Sequence, residues 1–288
     1  MNKQAEQILD IIRDSGLATG VDTSRYNISV DWDVTEYAQA LDVIDYAMIR
    51  ASSGRGDGTI YIDPLFETQY AELEQHPHVI RDAYHYLSSH SKWTRQYDVF
   101  MQAIDGKEFE ILTLDCEKIY NVKGPQFAGY AFYFLKQLEK DFSDKRVKMY
   151  SNRYDYQDWF QPYYNFDGFD YHHAQYPWAS WNVSAYWFPH LLSTLKNIFA
   201  GEREPNLPNS RQGKPNDYVV WQVGADTGIG NELGFGADYL DINVSKLPLE
   251  DFRQWSGLYK RWKPEGQEPE IPLTLEERVE RLEEAVFG

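Results

Sequence analysis

The feature that most limits what this chain can become is its rhythm. Short β-rich runs recur near 19–24, 43–52, 79–87, 109–117, 146–151, 168–176, 217–223 and 239–244. Between many of them lie helical patterns, at about 34–41, 64–75, 92–105, 125–140, 153–160 and 184–199. Strand–helix alternation predicts an α/β fold built on a parallel sheet. Eight strands in about 230 residues fit a single (β/α) barrel of the TIM-barrel-like type, with fewer and irregular helices, better than two domains. Closure makes the first and last strands neighbours, and such barrels gather their active sites on the C-terminal face.

Acids sit where that face is expected. In FEILTLDCEKIY, residues 109–114 read as a strand, with Asp115 and Glu117 at its end. Alternation along a strand puts those two on one side and Cys116 on the other. Two carboxylates under the apolar helix layer would be costly. They fit the barrel mouth, with Cys116 buried outward as a small hydrophobe. Neighbouring carboxyls push one pKa up, the arrangement that keeps one acid protonated beside an ionised partner. Asp22 in GVDTSRYN and Asp241 in YLDINVS add acids from the first and last strands. Taken singly, each has an ordinary alternative: a solvated D-x-E, a turn or cap Asp, a salt-bridged Asp. Their convergence from three strands favours a site.

Aromatic residues make up 16% of the chain, an unusual share; such rings fill cores, but they also line sites that stack flat ligands or sugar rings. Tyr84, Tyr86, Tyr150, Tyr176, Trp178 and Trp221 occupy strand-end positions. An aromatic-walled cleft over several carboxyls suits glycoside hydrolysis. His172 and His173 are adjacent, so on a strand they face opposite ways and share no metal. His85 has two readings, a core hydrogen bond or the site rim. No serine sits in G-x-S-x-G, and no phosphate loop of the G-x-G-x-x-G or Walker type occurs. No cofactor and no metal are expected.

The net charge is −17, which leaves no basic face for nucleic acid and no electrostatic attraction to anionic membranes. One cysteine excludes an intrachain disulfide and a cysteine-based zinc cluster. No apolar run of about 18 residues predicts membrane insertion. The N-terminus, MNKQAEQILDIIRDSG, lacks the pattern of a secretory signal, so synthesis in a cytoplasm is expected. The predicted organisation is a helix within 1–16 packed on the barrel, a catalytic barrel over 17–262, a linker over 263–272 and an amphipathic helix over 273–288. Residues 201–217 read as a long surface loop. In the tail, Leu275, Val279, Leu282 and Val286 form one apolar stripe, a candidate for homo-oligomerisation.

The ordered set of strand motifs resembles glycoside hydrolase family 25, the Chalaropsis-type lysozymes. GVDTSRYN resembles the family's opening G-V-D-x-S strand. YAMIRASSGRG with DPLFETQYAE resembles its second strand and the D-x-x-F helix start. RDAYHYL resembles its G-x-Y-H-F strand, LTLDCEK its D-x-E strand and VKMYSN its I-Y-T/S strand. HHAQYPWASW resembles W-I-A-x-Y, and VVWQVG with YLDINV resembles the W-Q-Y and V-D-x-N ending. The resemblance spans about 17–247. Departures are Arg25, Tyr26 and Asn27 where a Gln or His is usual, His172-His173-Ala174 in place of Trp-Ile-Ala, Val223 in place of Tyr, and a longer loop after the sixth strand.

The resemblance implies cleavage of the β-1,4 bond between N-acetylmuramic acid and N-acetylglucosamine in bacterial peptidoglycan. Glu117 would be the general acid and base, Asp115 its partner, and Asp22 and Asp241 would tune pKa values and hold the sugar. In such enzymes the substrate's acetamido group is thought to attack, with retention. A bacteriolytic phage endolysin, reaching the cell wall after release, fits the expected lack of a signal. Two other readings are a hydrolase of a different acetamido polymer, and a non-catalytic glycan-binding component of a phage particle.

Overall fold

The computed structural model describes residues 14–26, 34–117, 124–175, 217–224 and 241–262, together with 197, 205 and 207. Nine strands form one sheet: β1 (Leu17–Thr23), β2 (Tyr46–Gly54), β3 (Ile60–Ile62), β4 (Ile80–Tyr86), β5 (Ile111–Asp115), β6 (Arg146–Asn152), β7 (Asp170–Ala174), β8 (Val220–Gly224) and β9 (Asp241–Pro248). The order is β1-β9-β8-β7-β6-β5-β4-β2-β3, and a further β1–β2 pairing closes eight of them into a barrel. All eight strands expected from the sequence are present. β3 is an addition, a short antiparallel ribbon on the end of β2.

One expectation is corrected. The sheet is not wholly parallel, because β9 runs antiparallel to both β1 and β8. β9 also continues to Pro248, past the 239–244 read from its β-pattern. Its direction brings the start of β9 to the rim where the parallel strands end.

Closure depends on one close approach. Gly20 lies opposite Tyr46 in the β1–β2 register. A Cβ there would fall 2.1 Å from the Tyr46 carbonyl oxygen, so only glycine lets the two backbones meet. Strands such as β2 are buried along their whole length, one face under helices and the other in the lumen.

Outside the barrel, helices form where the apolar spacing predicted them: α1 (Val34–Leu41), α2 (Phe66–Gln75), α3 (Trp93–Ile104) and α4 (Gly124–Asp141). On α4, Phe127, Ala131, Phe134, Leu135 and Leu138 are buried, a three-to-four-residue stripe. Phe134 packs on Phe100 and stacks flat on His85 at 5.3 Å. Deleting a ring so placed costs about 3–5 kcal/mol. The expected helix at 153–160 is a single turn, α5 (Arg153–Asp155), continued by a π-helical turn over Tyr156–Phe160.

A helix that the sequence did not announce, α6 (Leu249–Ser256), follows β9. Its Phe252 packs with Ala18, Tyr46, Ile80, Ile111, Val220 and Leu258, the residues that close the end of the barrel where the parallel strands begin. Arg261 pins that end, pairing with Glu110 at 2.6 Å and donating to the Val79 carbonyl at 2.9 Å. The expected N-terminal helix, the 184–199 helix, nearly all of the 201–217 loop, the linker and the C-terminal helix lie outside the described residues. No helix among the described residues is long and apolar enough to cross a membrane.

Candidate active site

Strand alternation sorts the side chains into two sets. Val21, Ala47, Ile49, Leu112, Leu114, Met149 and Val244 face the helices. Their neighbours face the lumen, and there the upper layer is acidic. Asp115 closes β5, and Glu117 follows two residues on. Cys116 between them is fully buried, a free thiol in the outer core, as the alternation predicted.

Asp22 and Asp241 lie directly opposite each other across β1 and β9. Asp241 is at the start of β9, not its end. Because β9 is antiparallel, that start lies on the same rim as the ends of β1 and β5. The acids of three strands therefore meet on one face, and Asp22 and Asp241 are hydrogen-bonded.

The environments of the acids differ. Asp22 Oδ2 accepts from the Gln222 amide at 2.8 Å and from the Asn243 amide at 2.8 Å. Burial raises its pKa; these two amides, Asp241 and the charge of Lys148 act against that rise. Asp115 has no such donors: its Oδ1 is buried without a hydrogen-bond partner among the described residues. Burial, then the charges of Glu117 and Asp22, push its pKa well above the usual carboxylate range, against the pull of Arg50. Glu117 is half-buried and is raised to about 7, by burial first and then by Asp155 and Asp22. Donors favour the charged form of a carboxyl and desolvation favours the neutral one. Asp22 is thus equipped to be the anion, and Asp115 and Glu117 to hold protons.

Three expected aromatics join this set. Tyr84 is buried with Arg50, Asp22 and Asp115 as charged neighbours. Tyr86 is influenced by Asp115 and Glu117. The Tyr150 hydroxyl donates to Gln222 Oε1 at 2.8 Å, which turns the Gln222 amide toward Asp22. Trp221 does not join them. Val220 and Gln222 take the lumen side of β8, so Trp221 points outward into the core, its indole donating to the Gln175 carbonyl at 2.8 Å. Tyr176 and Trp178 lie outside the described residues. His85 makes core hydrogen bonds, with Ser52 at 2.8 Å and Gln96 at 3.1 Å. Among the described residues no group of three or more His, Cys, Asp or Glu side chains could hold a metal.

Sequence reasoning did not single out Gln222, Asn243, Arg50 or Asp155 as site residues. Asn243 carried a usable signal, since it stands two residues after Asp241, the same spacing as Asp115 and Glu117. Arg50, tied to Asp63 at 2.7 Å, reads as an isolated charge in a β-run and gave none.

A closed β/α barrel whose C-terminal rim carries carboxyls with divergent proton affinities, walled by tyrosines, is built as a carboxyl-using glycoside hydrolase. The comparisons agree and sharpen the class. The family model described as Glycosyl hydrolases family 25 matches residues 21–188, more than half of the chain. The chain belongs to that family and is a glycoside hydrolase. It is 25% identical over 236 residues to the uncharacterized protein YegX of Escherichia coli (strain K12), covering 81% of this chain and 71% of YegX. A family 25 glycosyl hydrolase from Bacillus anthracis shares the fold with a TM-score of 0.57 at 18% identity, covering 82% of this chain and 92% of that one. The spore cortex lytic enzyme SleM of Clostridium perfringens does so with a TM-score of 0.54 at 17% identity, covering 80% and 67%.

Proposed function

We propose that this protein is an N-acetylmuramidase, cleaving the β-1,4 bond between N-acetylmuramic acid and N-acetylglucosamine in bacterial peptidoglycan. The observation that carries the reading is Glu117, a half-buried carboxyl whose pKa is lifted to about 7 near Asp22, a carboxyl that accepts from two amides. Such a group is still protonated at neutral pH and within reach of its conjugate base, which is what a general acid that later serves as a base requires. Glu117 protonates the leaving glycosidic oxygen and then activates water.

Asp115 is the partner. Its Oδ1 is buried without a hydrogen-bond partner among the described residues. An acetamido N–H would satisfy it, and the acetamido oxygen would then be turned toward the anomeric carbon. Asp155 and Asp22 hold the negative charge that keeps the proton on Glu117, and Asp241 hydrogen-bonds to Asp22 and holds the sugar. Tyr86, partly exposed at the rim, offers a ring face to the sugar, while the buried Tyr84 and Tyr150 back the site from within the lumen. Family membership supports this reading, as does a structural neighbour named a spore cortex lytic enzyme. In a cell the activity would be that of a lysin acting on the wall.

The test is release of reducing ends from purified peptidoglycan, followed by borohydride reduction and identification of the reduced sugar. Reduced muramic acid from the wild type, and none from Glu117→Gln, is the expected result. Reduced glucosamine would overturn the bond assignment. Wall binding with no new reducing ends from the wild type would turn the reading to a glycan-binding protein on the same barrel.

A further inference from the structure

Below the acidic rim, the lumen holds a second polar cluster that the proposed chemistry does not use. Lys148 and Asp82 are fully buried and paired at 2.8 Å. Asp82 also accepts from the Tyr46 hydroxyl at 2.5 Å and from Thr113 at 2.8 Å. The ammonium of Lys148 has three protons and three close acceptors: Asp82, Tyr46 at 2.6 Å and His172 Nδ1 at 3.0 Å. His172 Nε2 lies 2.7 Å from Asn243 Oδ1, and the Asn243 amide is the one that donates to Asp22. Tyr150 stands edge-on to the His172 ring at 5.0 Å.

The direction of every bond in this line is fixed from its ends. An ammonium only donates, so His172 Nδ1 must be the unprotonated nitrogen. The imidazole then carries its proton on Nε2 and donates it to Asn243 Oδ1. That leaves the Asn243 NH2 group facing Asp22, whose carboxylate only accepts. The two ends agree, which a chain of alternating donors and acceptors does only when each member is in one orientation. Asp82 and His172 also stand at the Gly and Trp positions of the strand motifs quoted above, so the parts of the line depart from the family pattern together.

We infer that His172 and Lys148 are positioning residues for catalysis: they lock the Asn243 amide onto Asp22, and so hold Asp22 as the hydrogen-bonded anion of the site. The inference rests on the proposed hydrolase reading. Neither residue touches substrate. With the amide free to turn, Asn243 would present its oxygen to Asp22 and the shared proton would sit on Asp22 in more of the molecules. The charged and titratable groups facing this line are Asp82, Asp170, His173, Asp22 and, beyond it, Asp241, Asp115 and Glu117.

The experiment has two arms. In the first, 15N shifts of the wild-type protein report the His172 tautomer between pH 5 and 8. The inference expects Nε2–H throughout with no titration. A Nδ1–H tautomer, or protonation within that range, overturns it. This arm needs no activity, so it stands even where peptidoglycan is not cleaved, a result that sinks the hydrolase reading instead. In the second arm, kinetics on peptidoglycan compare the wild type with His172→Phe and His172→Gln. Loss of one charge-assisted hydrogen bond predicts a kcat lower by roughly 10- to 100-fold in His172→Phe with KM unchanged. The acid limb of its pH–rate profile should move up by about one to two units, because Asp22 ionises less readily. His172→Gln keeps an N–H for Asn243 and should recover most of kcat. Unchanged kcat and pH profile in a folded His172→Phe, or a fall in KM-dependent terms alone, refutes the assignment. Should His172→Phe not fold, the tautomer measurement still decides.

Discussion

Glu117→Gln keeps the size of the side chain and removes its charge, so it separates what the carboxyl does for catalysis from what it costs the fold. The group's pKa rises from 4.5 in the unfolded chain to about 7 in the barrel. Between those values the folded protein binds more protons than the unfolded one. Stability therefore falls as pH climbs through that window, and the full cost is present above about pH 7. The step is worth about 3 kcal/mol as an upper bound. Solvent screening at a half-buried site brings it to about 1–2 kcal/mol. Glutamine is neutral at every pH and escapes this cost. The variant should match the wild type in denaturant unfolding at pH 4.5 and exceed it by about 1–2 kcal/mol at pH 8, while losing about 10²–10⁴-fold in turnover. The assay pairs urea melts at the two pH values with reducing-end release. A stability difference that does not change with pH, or a variant that turns over near the wild-type rate, would show that Glu117 is not the strained acid.

Asp115→Asn should also cripple kcat, with substrate binding less affected; Asp22→Asn or Asp241→Asn exceeding it in damage would reverse the roles given to the acids. Activity should survive exhaustive chelation, and restoration of a chelated enzyme by a divalent ion would contradict carboxyl-only chemistry. Gly20→Ala should prevent stable closure of the barrel, because its Cβ would meet the Tyr46 backbone, which cannot turn aside, as well as the Tyr46 ring; a cooperative melt at the wild-type temperature would disprove that. Truncation after Trp262 should leave bond cleavage intact. Light scattering on both forms then reads the tail: a lower mass on truncation supports self-association, an unchanged mass refutes it, and a lower melting temperature at constant mass places the helix on its own barrel.

The sequence by itself determined the periodicities. Apolar spacing marked α1 to α4, and β-rich runs marked all eight barrel strands, because burial on a helix stripe or a strand is a local pattern. Alternation placed Asp115 and Glu117 on one side and Cys116 on the other, and the structure keeps that arrangement. The same rule, applied to β8, would have turned Trp221 outward had the parity been anchored on Gln222. α6 escaped notice because it is short and follows a strand directly. Other features belonged to the tertiary structure alone. Strand direction is one: Asp241 reaches the acidic rim only because β9 runs antiparallel. Partnership at a distance is another. Lys148 meets Tyr46 across 102 residues, and Asn243 meets Asp22 across 221. A buried lysine, a histidine and an aspartate on three separate strands look like three isolated charges in a sequence. Closure of the barrel decides that they touch, because the register of pairing, which no local pattern encodes, sets which layer of the lumen each side chain enters.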